Sequence, residues 1–521
     1  MSRHNVNLSQ KASSANALAL GKSIPETILR LSGPAILEQF LICLTSLMDT
    51  AMVGSAGAAA TASVAINIST IWLINGCITA LSVGFSFLVS HSVGEGNQEK
   101  TQSVVRQSII ASAALGAVLM TAVFSLHRIL PKLLGASSDV LPNAQAYLGI
   151  ISLGLIPQAL GVVLSAVLRS AGNTKLPMAA NLCANLLNVA GNFLLIYPSR
   201  TLSLPWGRTS LAMAAPAASV LTVSAPAASA LTAADPTASA LTAADPTASL
   251  TAKAAQTIPI WGAGLGIRGA AIATALSQYA LALIMLYHIF HAPTPARISP
   301  RGNYRLQKRT LGSLFRISVP VLLERCTLCL GQISLTAIIS GLGTIPLAAH
   351  YLTNQTEGLL YLPAYGFAYT ATTLIGQSLG AKDRTLASRF CRDICIISTV
   401  VIVAACVPVF CLARFIIRLF TTDPQVAALG TTTIQIAAAT EIFFSFSVIA
   451  SGICRGAGDV KFPLAVSIIG MWGFRIGLVW LAARVLTLGV AGVWIAIAID
   501  CFVRSVLFLN RLIRGKWMEA S

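Results

Sequence analysis

Residues 169–177 read RSAGNTKLP and residues 455–463 read RGAGDVKFP. The two stretches share arginine, glycine, lysine and proline at the same places and stand 286 residues apart. The same offset joins GPAILEQF (33–40) to VPVLLERC (319–326), aligning Pro34 with Pro320 and Glu38 with Glu324. It also joins HSVGEGNQEK (91–100) to QSLGAKDRTL (377–386), aligning Gly94 with Gly380. One offset held across three separate segments means a duplicated chain. The offset breaks once, where Gly266-Ile-Arg-Gly269 matches Gly489-Val-Ala-Gly492 at 223 residues. The difference of 63 is an insertion in the first half, between about Pro198 and Ile260.

What lies between these loops is apolar. The chain is 55% hydrophobic and only 10% charged, where a soluble domain carries about 25% charged residues. Twelve runs have the length and polarity of membrane helices, each meeting the roughly 20 residues that a hydrocarbon core requires. They are 31–53, 64–90, 104–126, 145–168, 177–197, 268–291, 313–340, 350–378, 389–414, 430–454, 463–485 and 490–510. The runs are continuous and lack period-2 alternation, which favours helices over a barrel. The expected fold is therefore an all-α integral membrane protein of twelve transmembrane helices in two pseudo-symmetric six-helix lobes. Because each half has six spans, the halves share one topology and are related by an axis along the membrane normal.

The domain reading is a tail over 1–25, an N-terminal lobe over 26–291, a linker over 292–312, a C-terminal lobe over 313–512 and a tail over 513–521. The first 25 residues are polar and lack the apolar core of a signal peptide. With that tail inside, cytoplasmic segments hold 23 Lys and Arg, whereas the short outer loops hold five: Arg128, Lys132, Arg414, Arg418 and Arg484. This asymmetry sets both termini in the cytoplasm. No transit signal is apparent, so the inner (plasma) membrane is the expected location. Within the 198–260 insertion, four ten-residue repeats run from LAMAAPAASV to LTAADPTASL (211–250). They are built from Ala, Thr, Ser and Pro, and such a low-complexity extracytoplasmic segment has too few large apolar residues to bury a core.

The net charge of +18 does not indicate nucleic acid, because the cations sit in loops that set topology. Cys326 and Cys329 form a lone C-x-x-C on an apolar helix without a second pair or a nearby histidine, so no zinc site is read there. Gly264-x-Gly-x-x-Gly269 precedes a span rather than joining a strand to a helix and is not a dinucleotide site. A P-loop is missing from the sequence, which argues against an ATP-driven pump.

A charge inside a bilayer costs at least roughly 2.5–3.5 kcal/mol on insertion scales, so it needs a partner or a task. Asp49 lies deep in span 1, with Thr45 one turn before it and Glu38 eleven residues before it, back on the same face. On span 5, Asn181, Asn185, Asn188 and Asn192 are spaced 4, 3 and 4 and share one face. A carboxylate with amide oxygens is a hard ligand set that suits Na+, and the same carboxylate in a dry lobe suits a proton. Asp49, Asn185, Asn188 and Asn192 are therefore the candidate ion site, weighed against plain interhelical hydrogen bonding. Glu38 and Glu324, one turn after the prolines of spans 1 and 7, are candidates for gating or for capping neighbouring helix ends. Tyr361, Tyr365 and Tyr369 recur every four residues, a face for a cationic aromatic substrate or a packed aromatic stripe. Glu357, Arg475 and Asp500 are further intramembrane candidates, the last two as a neutralising pair between spans 11 and 12.

Taken together, these motifs resemble the multidrug and toxic compound extrusion (MATE) family. Pro34 followed by Asp49-x-x-x-x-Gly54 looks like its span-1 signature. Gly94-Glu-Gly96 and Gly376-Gln-Ser-Leu-Gly-Ala381 resemble its paired glycine loops, and 169–177 with 455–463 resemble its loops before spans 5 and 11. Asn188-Val-Ala-Gly-Asn192 looks like its span-5 asparagine motif. The resemblance covers roughly 25–197 and 260–510. It implies two lobes around a cleft that alternates its opening, and export of organic, often cationic, compounds driven by Na+ or H+ entry. In the DinF-like branch the position of Asn192 is an aspartate, so this chain is nearer the NorM-like branch. That branch has acids deep in spans 7 and 10, where this chain has Leu330 and Phe444; Glu441 is the acid available on span 10.

The expected function is secondary antiport of small organic compounds, with no enzymatic activity, no cofactor beyond the coupling ion Na+ or H+, no metal beyond a possible Na+ at the ion site, and no nucleic acid. The partners expected are the small-molecule substrate and the lipid bilayer, with the chain a monomer. The alternative is a lipid-linked saccharide flippase of a related fold. Such relatives have extra spans and a strongly cationic cavity, and here only Arg325 and Arg475 sit deep. A receptor or scaffold without transport would need neither the buried acids nor the repeat.

Overall fold

The chain folds as fourteen main helices, α1 Ile24–Gly54, α2 Ala58–Gly94, α3 Gln98–Leu126, α4 Leu141–Leu153, α5 Leu155–Ser170, α6 Lys175–Leu195, α7 Ile267–His291, α8 Lys308–Ser340, α9 Thr344–Leu360, α10 Leu362–Gly380, α11 Arg384–Phe420, α12 Pro424–Gly456, α13 Lys461–Val485 and α14 Gly489–Ile513. The structure is a computed structural model that describes residues 23–203 and 257–519, apart from Ala56, Asn303, Arg305, Leu306 and Thr422. Among the described residues ten helices are singly long and apolar enough to cross a membrane, and α4 with α5, bent by 51° at Gly154, makes an eleventh span. The twelfth place is filled by α9 and α10 together. They cover 344–380, which lies 286 residues after α2, so their place in the repeat is fixed even though the span is broken at Tyr361. Pro363 in the first turn of α10 has no N–H for a continuous ladder and accounts for the break.

The duplicated sequence gives duplicated local structure. Asn97 caps α3 by accepting from the Lys100 N–H at 2.9 Å, and its mate Asp383 caps α11 by accepting from the Leu386 N–H at 2.9 Å. The Thr385 hydroxyl bond, with that from the Leu386 N–H, holds the solvent-exposed Asp383 carboxyl below the usual aspartate range. The largest clusters of buried apolar side chains lie around Phe85, Val167 and Met285 in the first lobe and Phe367, Ile453 and Phe508 in the second, with smaller ones such as Ile74, Ile78 and Leu148 in the first and Leu335, Val493 and Trp494 in the second. Large apolar residues such as Leu186, Leu283, Val400 and Phe415 stand more than 60% exposed on the outside, the surface of a protein solvated by lipid.

The insertion begins and ends differently from the sequence expectation. Pro198–Ser203 (β1) and Thr257–Ala263 (β2) pair as an antiparallel ribbon, with Thr201 opposite Pro259 and Ser203 opposite Thr257. Thr, Leu, Ile and Trp at these edges favour strand, and the low-complexity composition starts only beyond them. The four ten-residue repeats lie outside the described residues.

The lobes meet along a seam with pseudo-twofold symmetry. His91 Nε2 bonds the Gly456 carbonyl at 3.0 Å, and Gln377, the mate of His91, donates to the carbonyl of Ser170, the mate of Gly456, at 2.9 Å. A Cβ on Gly94 would lie 2.1 Å from the Gln377 carbonyl oxygen, and one on Gly380 would lie 2.3 Å from that of His91. Both positions therefore require glycine for backbone to meet backbone. These contacts lie at the end where α1 begins and α14 finishes. At mid-depth the seam reaches Gly76 of α2 and Arg325 of α8, 3.5 Å from a Cβ built on Gly76. Beyond that, Ser46, Leu47 and Met48 of α1 are all exposed, as are Trp72 and Leu73 of α2. Consecutive exposed residues uncover more than one helix face, as a cleft on one side and lipid on the other require.

Candidate ion site and cleft

Span-1 and span-5 polar residues converge in the first lobe. The Asn192 amide of α6 donates to Asp49 Oδ1 of α1 in a short contact. Asn192 also donates to Asn188 Oδ1 at 3.2 Å, and Asn188 donates to the Thr274 hydroxyl of α7 at 3.3 Å. Asn188 and Asn192 are buried and Asp49 is half-buried. Asn192 Oδ1 is buried with no hydrogen-bond partner. Rotating the amide would set two oxygens beside each other, an arrangement that a bound cation favours and an empty site does not.

The four-asparagine face is only partly used in this way. Asn181 donates instead to Glu38 Oε1 at 2.8 Å. Asn185 is half-buried, makes no bond to the Asp49 chain, and leaves its Nδ2 without a partner. It is turned about 60° from Asn188 by the roughly 100° per residue of a helix, enough to carry it past the edge of the face. Thr274 is the member that spacing missed, because its mate at the 223 offset is the apolar Ile497 and no other polar residue of the site lies on α7. Beside Thr274 is a cavity of about 110 Å³ lined by Asn75, Tyr147, Gln158 and Gln278, and Tyr147 stands within electrostatic reach of Asp49.

Glu38 and Glu324 occupy matched ion pairs. Arg169 donates to Glu38 at 2.7 Å and Arg455 to Glu324 at 2.9 Å, each pair 131 residues apart. Ser467, the mate of Asn181, stands 3.4 Å from Glu324. Both pairs are internal to their lobe and tie the first helix of each lobe to its fourth. The Arg169 guanidinium also lies 4.8 Å over the Tyr369 ring of the other lobe, so the first pair borders the seam. Breaking a buried pair leaves an uncompensated charge and costs about 3–5 kcal/mol. Glu324→Gln is expected to lower the Tm of the purified protein clearly, with part of the loss recovered in Glu324→Gln/Arg455→Met.

The second lobe has its own charged cluster. Arg475 of α13 and Arg504 of α14 both donate to Asp500, each at 2.7 Å. Arg504 follows Asp500 by one helical turn, a spacing visible in the sequence. Arg475 sits in a π-helical stretch, Ile469–Ile476, and such stretches frequently accompany functional positions. Glu441 is fully buried, accepts from Ser445 at 2.6 Å and has Oε2 unpartnered; Glu357 of α9 lies within electrostatic reach of both Glu441 and Arg475. The tyrosine stripe divides: Tyr369 holds Arg169, while Tyr361 packs edge-on against Tyr365 at 5.5 Å and tilts on Phe444 at 5.9 Å. Among the described residues, no group of three or more His, Cys, Asp or Glu is arranged to hold a metal; the Asp49 site is one carboxylate among neutral oxygens.

The sequence matches the MatE family over residues 34–194 and 320–481. It is 24% identical over 502 residues to a probable multidrug resistance protein NorM of Thermotoga maritima, covering 95% of this chain and 93% of that one. It is 28% identical over 264 residues to the human multidrug and toxin extrusion protein 1, covering 49% of this chain and 45% of the relative. The fold is similar to a solved outward-facing multidrug resistance MATE family transporter at a TM-score of 0.79 and 19% identity, covering 96% of this chain and 98% of that one.

Proposed function

This chain belongs to the MatE family of multidrug and toxic compound extrusion transporters, and from that premise we propose that it exports small organic compounds, cations among them, in exchange for Na+ or H+. The observation that carries the proposal is the Asp49–Asn192–Asn188–Thr274 chain, buried at its two asparagines, with an amide oxygen left unpartnered. A cation entering this site gains a carboxylate and several neutral oxygens at once, a hard-ligand set for Na+. A proton gains the carboxylate alone. Either ion neutralises Asp49, and a neutral lobe interior weighs differently on the two openings of the cleft, which is what couples ion entry to substrate exit.

With both termini cytoplasmic, the closed seam lies on the cytoplasmic side and the cleft opens outward. In that state Tyr361 and Tyr365 offer an aromatic wall to a departing organic cation. Glu38 and Glu324, already satisfied by arginine, act on gating through the stiffness of each lobe. The MatE match does not favour the flippase alternative, although Arg504 joins Arg325 and Arg475 among the deep cations. The test is efflux of a fluorescent organic cation from proteoliposomes under an imposed Na+ or pH gradient. Efflux that follows one gradient supports the proposal; efflux indifferent to both sinks it. Within the site, Asn192→Leu is expected to weaken ion coupling far more than Asn185→Leu, with Thr274→Val between them, as read from the ion concentration for half-maximal efflux.

A further inference from the structure

The first lobe carries a second cavity, on another face of α4. Tyr147 and Ile151 of that helix line the space beside Thr274. Gln145, Gly149 and Leu153 line a separate surface cavity of about 290 Å³. There α4 packs against both α3 and α7 and forms the floor of a groove between them. The groove is graded with depth. Its three α4 residues are spaced by four, so one stripe of the helix runs from polar near its start to apolar at its end. His127, just past the end of α3, and Arg268, in the first turn of α7, stand at the polar end. Phe124, inside the end of α3, and Leu153 are both exposed and stand deeper. The walls are fixed. His127 donates through Nδ1 to the Phe124 carbonyl at 2.5 Å and stacks on the Phe124 ring at 5.3 Å. A Cβ on Gly149 would lie 3.1 Å from the His127 ring, so glycine gives the groove its depth there. Gln145 donates to the Arg128 carbonyl at 2.7 Å and ties α4 to the end of α3.

Arg268 is the residue without an explanation. The bias of lysine and arginine towards the termini side sets topology, and Arg268 stands on the opposite side. Among the described residues it forms no ion pair and no side-chain hydrogen bond, and no acidic residue lines the groove. We propose that this groove binds one phospholipid of the leaflet away from the termini, with its phosphate on Arg268 and an acyl chain along Phe124, Ile150 and Leu153. The order of groups matches the order along such a lipid. A guanidinium at the membrane surface meets a phosphate through paired N–H donors. The Gln145 amide, its nitrogen spent on Arg128, offers its oxygen to a hydroxyl of the headgroup. The exposed aromatic and aliphatic side chains below them meet the hydrocarbon. A soluble anion would use the arginine and leave that apolar stripe uncovered.

The test is lipid binding to the purified, delipidated protein in detergent, read as bound lipid per chain by native mass spectrometry. Dioleoylphosphatidylglycerol is the probe, and dioleoylglycerol has the same chains without the phosphate. Wild type is expected to bind the first about tenfold more tightly than the second, the scale of one charge-assisted contact. Arg268→Gln should remove that preference by weakening dioleoylphosphatidylglycerol alone. Arg268 is exposed, so the variant keeps the fold. Arg414→Gln takes an exposed arginine from near the outer end of α11, away from the groove, and should change nothing. Inorganic phosphate should leave the lipid bound, because the chain holds it as well as the headgroup. Equal binding of the two lipids to wild type, an unchanged preference in Arg268→Gln, or the same loss in Arg414→Gln overturns the site. Displacement of the lipid by inorganic phosphate overturns it too, in favour of a plain anion site. Binding is measured without transport, so the result stands apart from the efflux reading.

Discussion

Asp49→Asn is expected to abolish gradient-driven efflux while leaving the protein folded and able to bind substrate. The substitution keeps the side chain's shape and its contact with Asn192 but removes the only charge in the first lobe's polar chain. Without that charge there is nothing for a cation to neutralise. The ion then has no differential affinity for the two openings of the cleft, and an ion without differential affinity shifts no equilibrium. Coupling between two sites is typically worth 1–3 kcal/mol, or about 5- to 150-fold in affinity, and all of it should vanish. Accumulation of substrate against a gradient should fall to the passive level in proteoliposomes, with equilibrium binding of substrate changed little. Full coupling in Asp49→Asn would remove the site from the mechanism.

Gly94→Leu should have a comparably large effect by another route. The seam closes only because the Gly94 and Gly380 backbones lie against backbone of the opposite lobe, with no room for even a Cβ at 2.1 and 2.3 Å. Leucine at either position cannot fit while that end is shut. Overpacking a close contact costs about 1–3 kcal/mol or more, and each 1.4 kcal/mol is a factor of ten. The population should therefore move about five- to 150-fold towards the state open at the termini end. Hydrogen exchange in the segments around His91 and Gln377 should accelerate, and export should fail although ion binding persists. Gly312→Ala, where a Cβ meets nothing within 4 Å, is the control that should leave both unchanged. Because the seam is symmetric, Gly380→Leu is expected to act in the same direction.

Much of this arrangement was legible in the chain. The constant 286-residue offset gave the two lobes, and it also pairs His91 with Gln377 and Ser170 with Gly456, whose reciprocal bonds form the seam. That these mates touch each other was not legible, because an offset gives equivalence and not proximity. Asp49, Asn188 and Asn192 could be found from intramembrane polarity and helical spacing. Asn185 was included because spacing treats a face as continuous, whereas contact with a neighbouring helix is a narrow stripe. Thr274 was missed because its repeat mate is the apolar Ile497 and a lone threonine in a span carries little signal. For Glu38 and Glu324 the symmetry was plain but the partners were not. Arg169 and Arg455 head the repeated loop motifs, and only the packing of each lobe's fourth span against its first brings them to the acids.

The claim on which the account depends is that ion occupancy at Asp49 biases which end of the cleft is open. Hydrogen exchange of the seam segments 87–95 and 372–380, measured on purified wild type and Asp49→Asn with and without Na+ and at two pH values, tests it directly. The account predicts that one ion changes seam protection in wild type and that the variant does not respond to it. An equal response in the variant, or no response to either ion in wild type, would contradict it.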